Sequence, residues 1–146
     1  MRPVWIVDRF LQLVLEGDAA SLRALLAPDY RLYENDRLVV VGREAGVARV
    51  LGLREAFPRR SVRIHERVAA GNRVGERWTI EAWLAAGTGS TRRPVRIDGA
   101  SWTVCQDDLI AEVRQWWDAA ELERQLADAP PSPAPIPPAF ARPGAR

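Results

Sequence analysis

IAEVRQWWDAAELERQL, residues 110–126, begins as a strand and ends as a helix. Side chains alternate across a strand, so Trp116 and Trp117 look in opposite directions. If Gln115 faces inward, Val113 and Trp117 do too, and Trp116 faces outward. Asp118 then opens DAAE, a D-x-x-E capping box with Glu121 at the third helical position. That makes Asp118 a helix cap rather than a catalyst. Trp117 becomes a candidate pocket wall, with plain core packing as the other reading.

Upstream, four strand patterns lie near 61–70, 73–86, 94–106 and 109–117, with Gly71-Asn72 and Asp107-Asp108 as turn chemistry. They read as antiparallel hairpins. The first part of the chain is helical. Val7, Phe10, Leu11, Val14 and Leu15 follow one helix face that Gly17 closes. Asp18 can cap a second, short helix carrying Leu22, Leu25 and Leu26. Short strands at 29–35 and 37–41 precede a third helix, GREAGVARVLGLREAF (42–57), stopped by Pro58. The order α-α-β-β-α-β-β-β-β-α predicts an α+β domain with the helices on one sheet face. The expected form is a cone-shaped barrel of strongly curved, mainly antiparallel sheet. It wraps about three N-terminal helices and ends in a short C-terminal helix.

The domain is expected to span 1–128. APPSPAPIPPAFARPGAR (129–146) is rich in proline and small residues and reads as a disordered or polyproline tail. Among 146 residues, 47% are apolar, enough for a proper core. No apolar run approaches the ~18 residues a membrane span needs. MRPVWIVDRF carries Asp8 and Arg9 inside its apolar stretch, so a cytoplasmic location is expected rather than export. All 21 basic side chains are Arg, which excludes lysine chemistry. Two of them, Arg142 and Arg146, lie in the tail, and the others balance the 19 acids. Nucleic acid, which requires a concentrated positive face, is therefore not an expected partner. With Cys105 the only Cys and His65 the only His, neither a zinc site nor a Ser-His-Asp triad is credible, and no metal is expected.

The order of elements, together with several local stretches, resembles the nuclear transport factor 2-like superfamily. That superfamily includes SnoaL-like polyketide cyclases, ketosteroid isomerases and limonene epoxide hydrolases. The stretches are EGDAASLRALLAPDYRLYEN (16–35), GREA (42–45), V-x-E-R (74–77) and DDLIAEVRQWWDAAELERQL (107–126). The fold they imply hosts many chemistries.

The resemblance to epoxide hydrolases implies that Arg77 points into a pocket, with Thr79, Glu81 and Trp83 on the same face of RVGERWTIEAWL (73–84). The residues alone also allow the opposite, with Val74, Trp78, Ile80, Ala82 and Leu84 in the core and the odd positions in water. The first orientation is preferred, and it leaves the apolar face to pack against a second chain, hence a homodimer through the sheet. The resemblance likewise implies that Tyr33 and Asn35, two apart in LYEN, orient water or polarise a carbonyl. Where epoxide hydrolases have two further Asp residues, this chain has Thr79 and Gln115. Gln cannot gain or lose a proton near neutral pH. Glu81, about 13 Å along the strand from Arg77, is the candidate replacement base. Glu34 faces away from Tyr33 and is the weaker candidate. His65 reads as a surface residue.

The expected site thus comprises Tyr33, Asn35, Arg77, Glu81 and Gln115 as catalytic groups. Thr79, Trp83, Trp117, Val113 and Ile97 are the expected substrate-binding residues. An apolar pocket with a few fixed polar points suits a hydrophobic, oxygenated small molecule. The leading expectation is a polyketide-type cyclase that promotes intramolecular ring closure, including cycloaddition, largely by holding a reactive chain folded. The alternatives are an isomerase or epoxide hydrolase with a relocated carboxylate base, and a non-catalytic ligand-binding dimeric module. None implies a cofactor.

Overall fold

The computed structural model describes residues 2–84 and 94–127. Its helices are α1 (Arg2–Glu16), α2 (Ala19–Leu25), α3 (Arg43–Ala56) and α4 (Ala119–Ala127). Its strands are β1 (Leu26–Glu34), β2 (Arg37–Val41), β3 (Arg59–Ala70), β4 (Arg73–Trp83), β5 (Val95–Gln106) and β6 (Leu109–Trp117). The order of elements is the one expected. Residues 129–146, expected to be a tail, lie outside the described residues, as does the expected end of β4 beyond Leu84.

Six strands form one curved, open sheet in the order β2-β1-β6-β5-β4-β3. β1 and β6 run parallel, and every other neighbouring pair is antiparallel. The parallel pair joins the chain's first strand to its last. It places Glu34 opposite Gln115. Turn chemistry sets the hairpins. Asn35-Asp36 and Asp107-Asp108 all adopt left-handed φ, between 48° and 66°, as residues with short polar side chains can.

The helix ends are tied by side chains. Asp18 accepts from the Ser21 amide at 2.7 Å and starts α2. Asp118 accepts from the Glu121 amide at 3.0 Å and starts α4, as its DAAE pattern predicts. Glu121 turns its own carboxylate to Arg124 and Gln125. Carbonyls at the C-terminal end of α1 and of Gly17 just beyond it receive Arg54 from α3 and Arg60 from β3.

Two apolar clusters fill the inside. One gathers Ile6, Leu13, Leu22, Leu26, Val50 and Ile110 beneath α1–α3. The other gathers Phe57, Trp78, Ala82, Val95, Ile97 and Leu122 toward α4. No described helix is long and apolar enough to cross a membrane.

Candidate active site

A cavity of about 160 Å³ draws its walls from both clusters. Most of its lining is apolar. Trp78, Ile80 and Ala82 come from β4, Val95 and Ile97 from β5, and Leu122 from α4. The polar groups are Tyr30 and Glu34 of β1, Arg49 of α3 and Gln115 of β6. Tyr30, Leu32 and Glu34 alternate inward along β1, as the period of a strand requires. Glu34 and Arg49 form an ion pair whose side chains are 6% and 13% exposed. Burial lowers the Arg49 guanidinium to about 10, with Tyr30 opposing, so it stays protonated at neutral pH. Burial raises the Tyr30 phenol well above its ordinary range, and the charge of Arg49 offsets part of that rise.

Asn35 fastens this corner without entering it. Its amide donates to the Gln115 carbonyl at 2.8 Å. Its side-chain Oδ1 accepts from the Trp117 amide at 3.1 Å. The water-holding position expected for Asn35 is therefore replaced by a backbone clasp between β1 and β6.

Of the other expected residues, Gln115, Trp117 and Ile97 line the cavity. Val113 faces inward but is packed in the core beside it. Tyr33 lies on the outer face, where the Arg114 guanidinium stacks 4.0 Å from its ring centre. The expected orientation of β4 is reversed. Its even positions face the helices and the cavity, so Arg77, Thr79, Glu81 and Trp83 face outward. Arg77 is 56% exposed and reaches Glu66 at 3.3 Å. Trp83 stacks beneath Arg59 at 4.2 Å. Glu81 sits in register between Ser61 and Arg96, away from the cavity, and cannot serve there as the base.

Thr79 is buried on that outer side. Its hydroxyl donates to Asp98 and so accepts from His65 Nε2, 2.7 Å away. The cause of the reversal is hydrophobic. Val74, Trp78, Ile80 and Ala82 share one face with Glu76, whose carboxylate is paired with Arg67, and turning that face out would expose the apolar residues while burying Arg77 and Glu81. The face expected to meet a second chain is the one lining the cavity, so that argument for a dimer no longer applies.

These residues sit in a recognised setting. The sequence profile of the SnoaL-like domain matches residues 7–113. The chain belongs to the SnoaL-like family. No protein of curated function matches it in sequence. A candidate SnoaL-like polyketide cyclase from Jannaschia sp. CCS1 superposes with a TM-score of 0.74 at 19% identity, covering 88% of this chain and 94% of that one. An epoxide hydrolase of the limonene epoxide hydrolase-like type from M. tuberculosis gives 0.71 at 17%, covering 86% and 90%. A candidate polyketide cyclase from Streptomyces antibioticus gives 0.71 at 19%, covering 87% and 99%. At these identities the likeness establishes the fold.

In this SnoaL-like domain the carboxylate at the cavity is Glu34, and its cation is Arg49. Sequence reasoning weighed Glu34 only as the weaker candidate base and passed over Arg49 and Tyr30. A signal for Arg49 existed. Gly46, Arg49, Val50 and Leu53 follow i, i+3, i+4, i+7 on α3, which puts an Arg in the stripe that faces the core. A buried Arg calls for a buried acid. Among the described residues, no group of three His, Cys, Asp or Glu side chains is placed to hold a metal ion.

Proposed function

We propose that this chain is a cofactor-independent enzyme of the cyclase or isomerase type, with Glu34 as its proton-transfer group. The reaction begins when the Glu34 carboxylate removes a proton from a carbon next to a carbonyl. The enolate oxygen is held by donors from Arg49, Tyr30 and Gln115, whose fixed dipoles act strongly in a mostly apolar cavity. In ring closure, the enolate carbon then attacks a second carbonyl of the same molecule, and the new alkoxide recovers the proton. In isomerisation, the proton returns at another carbon. Neither route gains or loses atoms, and neither needs a co-reactant.

The observation that carries this reading is the position of Glu34: a carboxylate on the wall of an apolar cavity, beside a buried cation. It supplies the acid–base group that Gln115 cannot. The polyketide-cyclase names of two fold neighbours favour ring closure as the reaction.

Deuterium exchange tests the first step without knowledge of the natural substrate. Cyclohexanone in D2O should exchange its α-protons faster with the wild-type chain than with Glu34→Gln, by about 10²-fold or more, the usual contribution of a positioned base. Equal rates for the two chains would sink the proposal. The ion pair itself favours one other reading, a binding module in which Glu34 and Arg49 only neutralise each other. That module would bind cyclohexanone and leave its protons in place.

A further inference from the structure

We infer that α4 is a hinged door to the cavity, turning at Asp118 and latched at its tip by Gln125. The inference rests on the proposed function only in taking this cavity as the substrate site. The Glu34 and Arg49 side chains are 6% and 13% exposed, so a ligand that reaches the carboxylate has to pass a wall.

The end of the sheet points to α4. β6 pairs with β5 from Gly99 onward, which leaves residues 95–98 without a strand on that side. α4 folds back over this bare edge. There the Gln125 side-chain amide stands in for the missing strand. Its Oε1 accepts from the Arg96 amide at 2.7 Å, and its Nε2 donates to the Arg96 carbonyl at 2.9 Å. Leu122, wholly buried, lines the cavity beside Val95 and Ile97.

The helix is fixed at its root. The Trp117 amide is held by Asn35 at 3.1 Å, and Asp118 alone separates β6 from α4. Asp118 also caps α4, accepting from the Glu121 amide through Oδ1 and from the Leu122 amide through its carbonyl. α4 can therefore turn as one body about the Asp118 backbone.

Other walls are bound more deeply. α1 is held by Arg54 and Arg60 at its carbonyls and by Arg67 at Asp8. α3 is held by the buried pair of Arg49 with Glu34. The latch bonds of Gln125 face solvent, so water replaces them at little cost when they part. Leu122 opposes the swing, because turning out exposes it. That keeps the open form a minor one and favours closure over an apolar ligand.

A door changes how fast a ligand passes, not how tightly it is held once inside. Cyclohexanone entering and leaving the full chain, read by NMR line shapes, tests this. Gln125→Ala removes both latch bonds. It should raise the association and dissociation rates together by about fivefold, the population shift that one net hydrogen bond gives, and leave Kd unchanged. Methyl relaxation dispersion at Leu122 should show a more populated opening in that variant. Arg60→Gln, which loosens α1 instead, should leave both rates as they are. Unchanged rates in Gln125→Ala would overturn the inference. So would faster dissociation alone, which would make Gln125 a support for binding rather than a latch. Faster passage in Arg60→Gln would put the way in beneath α1 and overturn it too, as would failure of the wild-type chain to bind cyclohexanone. The rates read passage alone. Latch-dependent passage without deuterium exchange would sink the proton-transfer reading and leave the door standing. Exchange with passage indifferent to Gln125 would do the reverse.

Discussion

Glu34 of β1 and Arg49 of α3 meet at the wall of the cavity, each almost wholly withdrawn from solvent. The pair holds the helix to the strand beneath it.

Loss of one partner should therefore cost far more than loss of both. Arg49→Met leaves a buried carboxylate without its cation, and the expected loss is about 3–5 kcal/mol in urea unfolding. The double variant Glu34→Gln with Arg49→Met should recover most of that loss. If the double variant is less stable than Arg49→Met alone, the pair is not what makes Arg49 necessary.

Gly46 offers a prediction with opposing terms. Alanine in a helix is favoured over glycine by about 1 kcal/mol. Here the added methyl would press on the Tyr30 ring and on Leu26. Overpacking of about 1–3 kcal/mol should win, so Gly46→Ala is expected to lower the unfolding midpoint and shift the Tyr30 ring resonances. A rise in stability would mean that the ring has room to move.

Glu121 should titrate abnormally. Hydrogen bonds from Arg124 and Gln125 lower its carboxyl from 4.5 to about 2. A depressed folded value means that folding favours the ionised form. The contribution is whole above pH 4.5 and disappears as pH falls toward 2. Carbon-13 NMR of the carboxyl should follow this curve, and Arg124→Gln should bring the midpoint back up. An ordinary midpoint in the wild-type chain would refute the assignment.

Arg77→Gln serves as a control with content. Arg77 lies on the outer face against an exposed Glu66. The change should alter stability by no more than about 0.5 kcal/mol and leave cyclohexanone binding untouched. Gln115→Ala, on the cavity wall, should weaken that binding. A weakened Arg77→Gln chain would restore the inward orientation that the resemblance implied.

Much of the architecture could be read from the chain, because helix and strand periods, Asp18, Asp118 and the turn pairs all act locally. The wall formed by β6 was also legible, since Gln115 and Trp117 follow directly from alternation. The face of β4 was not. Its apolar positions gave the right orientation by themselves, but the carried-over role of Arg77 argued for the other, and a one-residue choice inverts a whole strand. The same inversion in LYEN exchanged Tyr33 for Glu34. Glu34 was read as facing away from Tyr33 and as the weaker candidate, because the Arg that neutralises it lies on a separate helix. Partnership between distant residues is not written in either local pattern.

The parallel seam between β1 and β6 has a consequence for how the molecule comes into being. Glu34 and Gln115 are neighbours only across that seam. Segments so remote along the polypeptide assemble slowly, since a long loop must close before any contact rewards it. A ribosome will have released nearly the whole domain before the acid meets the amide. A nascent or truncated form lacking its closing strand has helices and hairpins but lacks the Gln115 and Trp117 wall of the cavity.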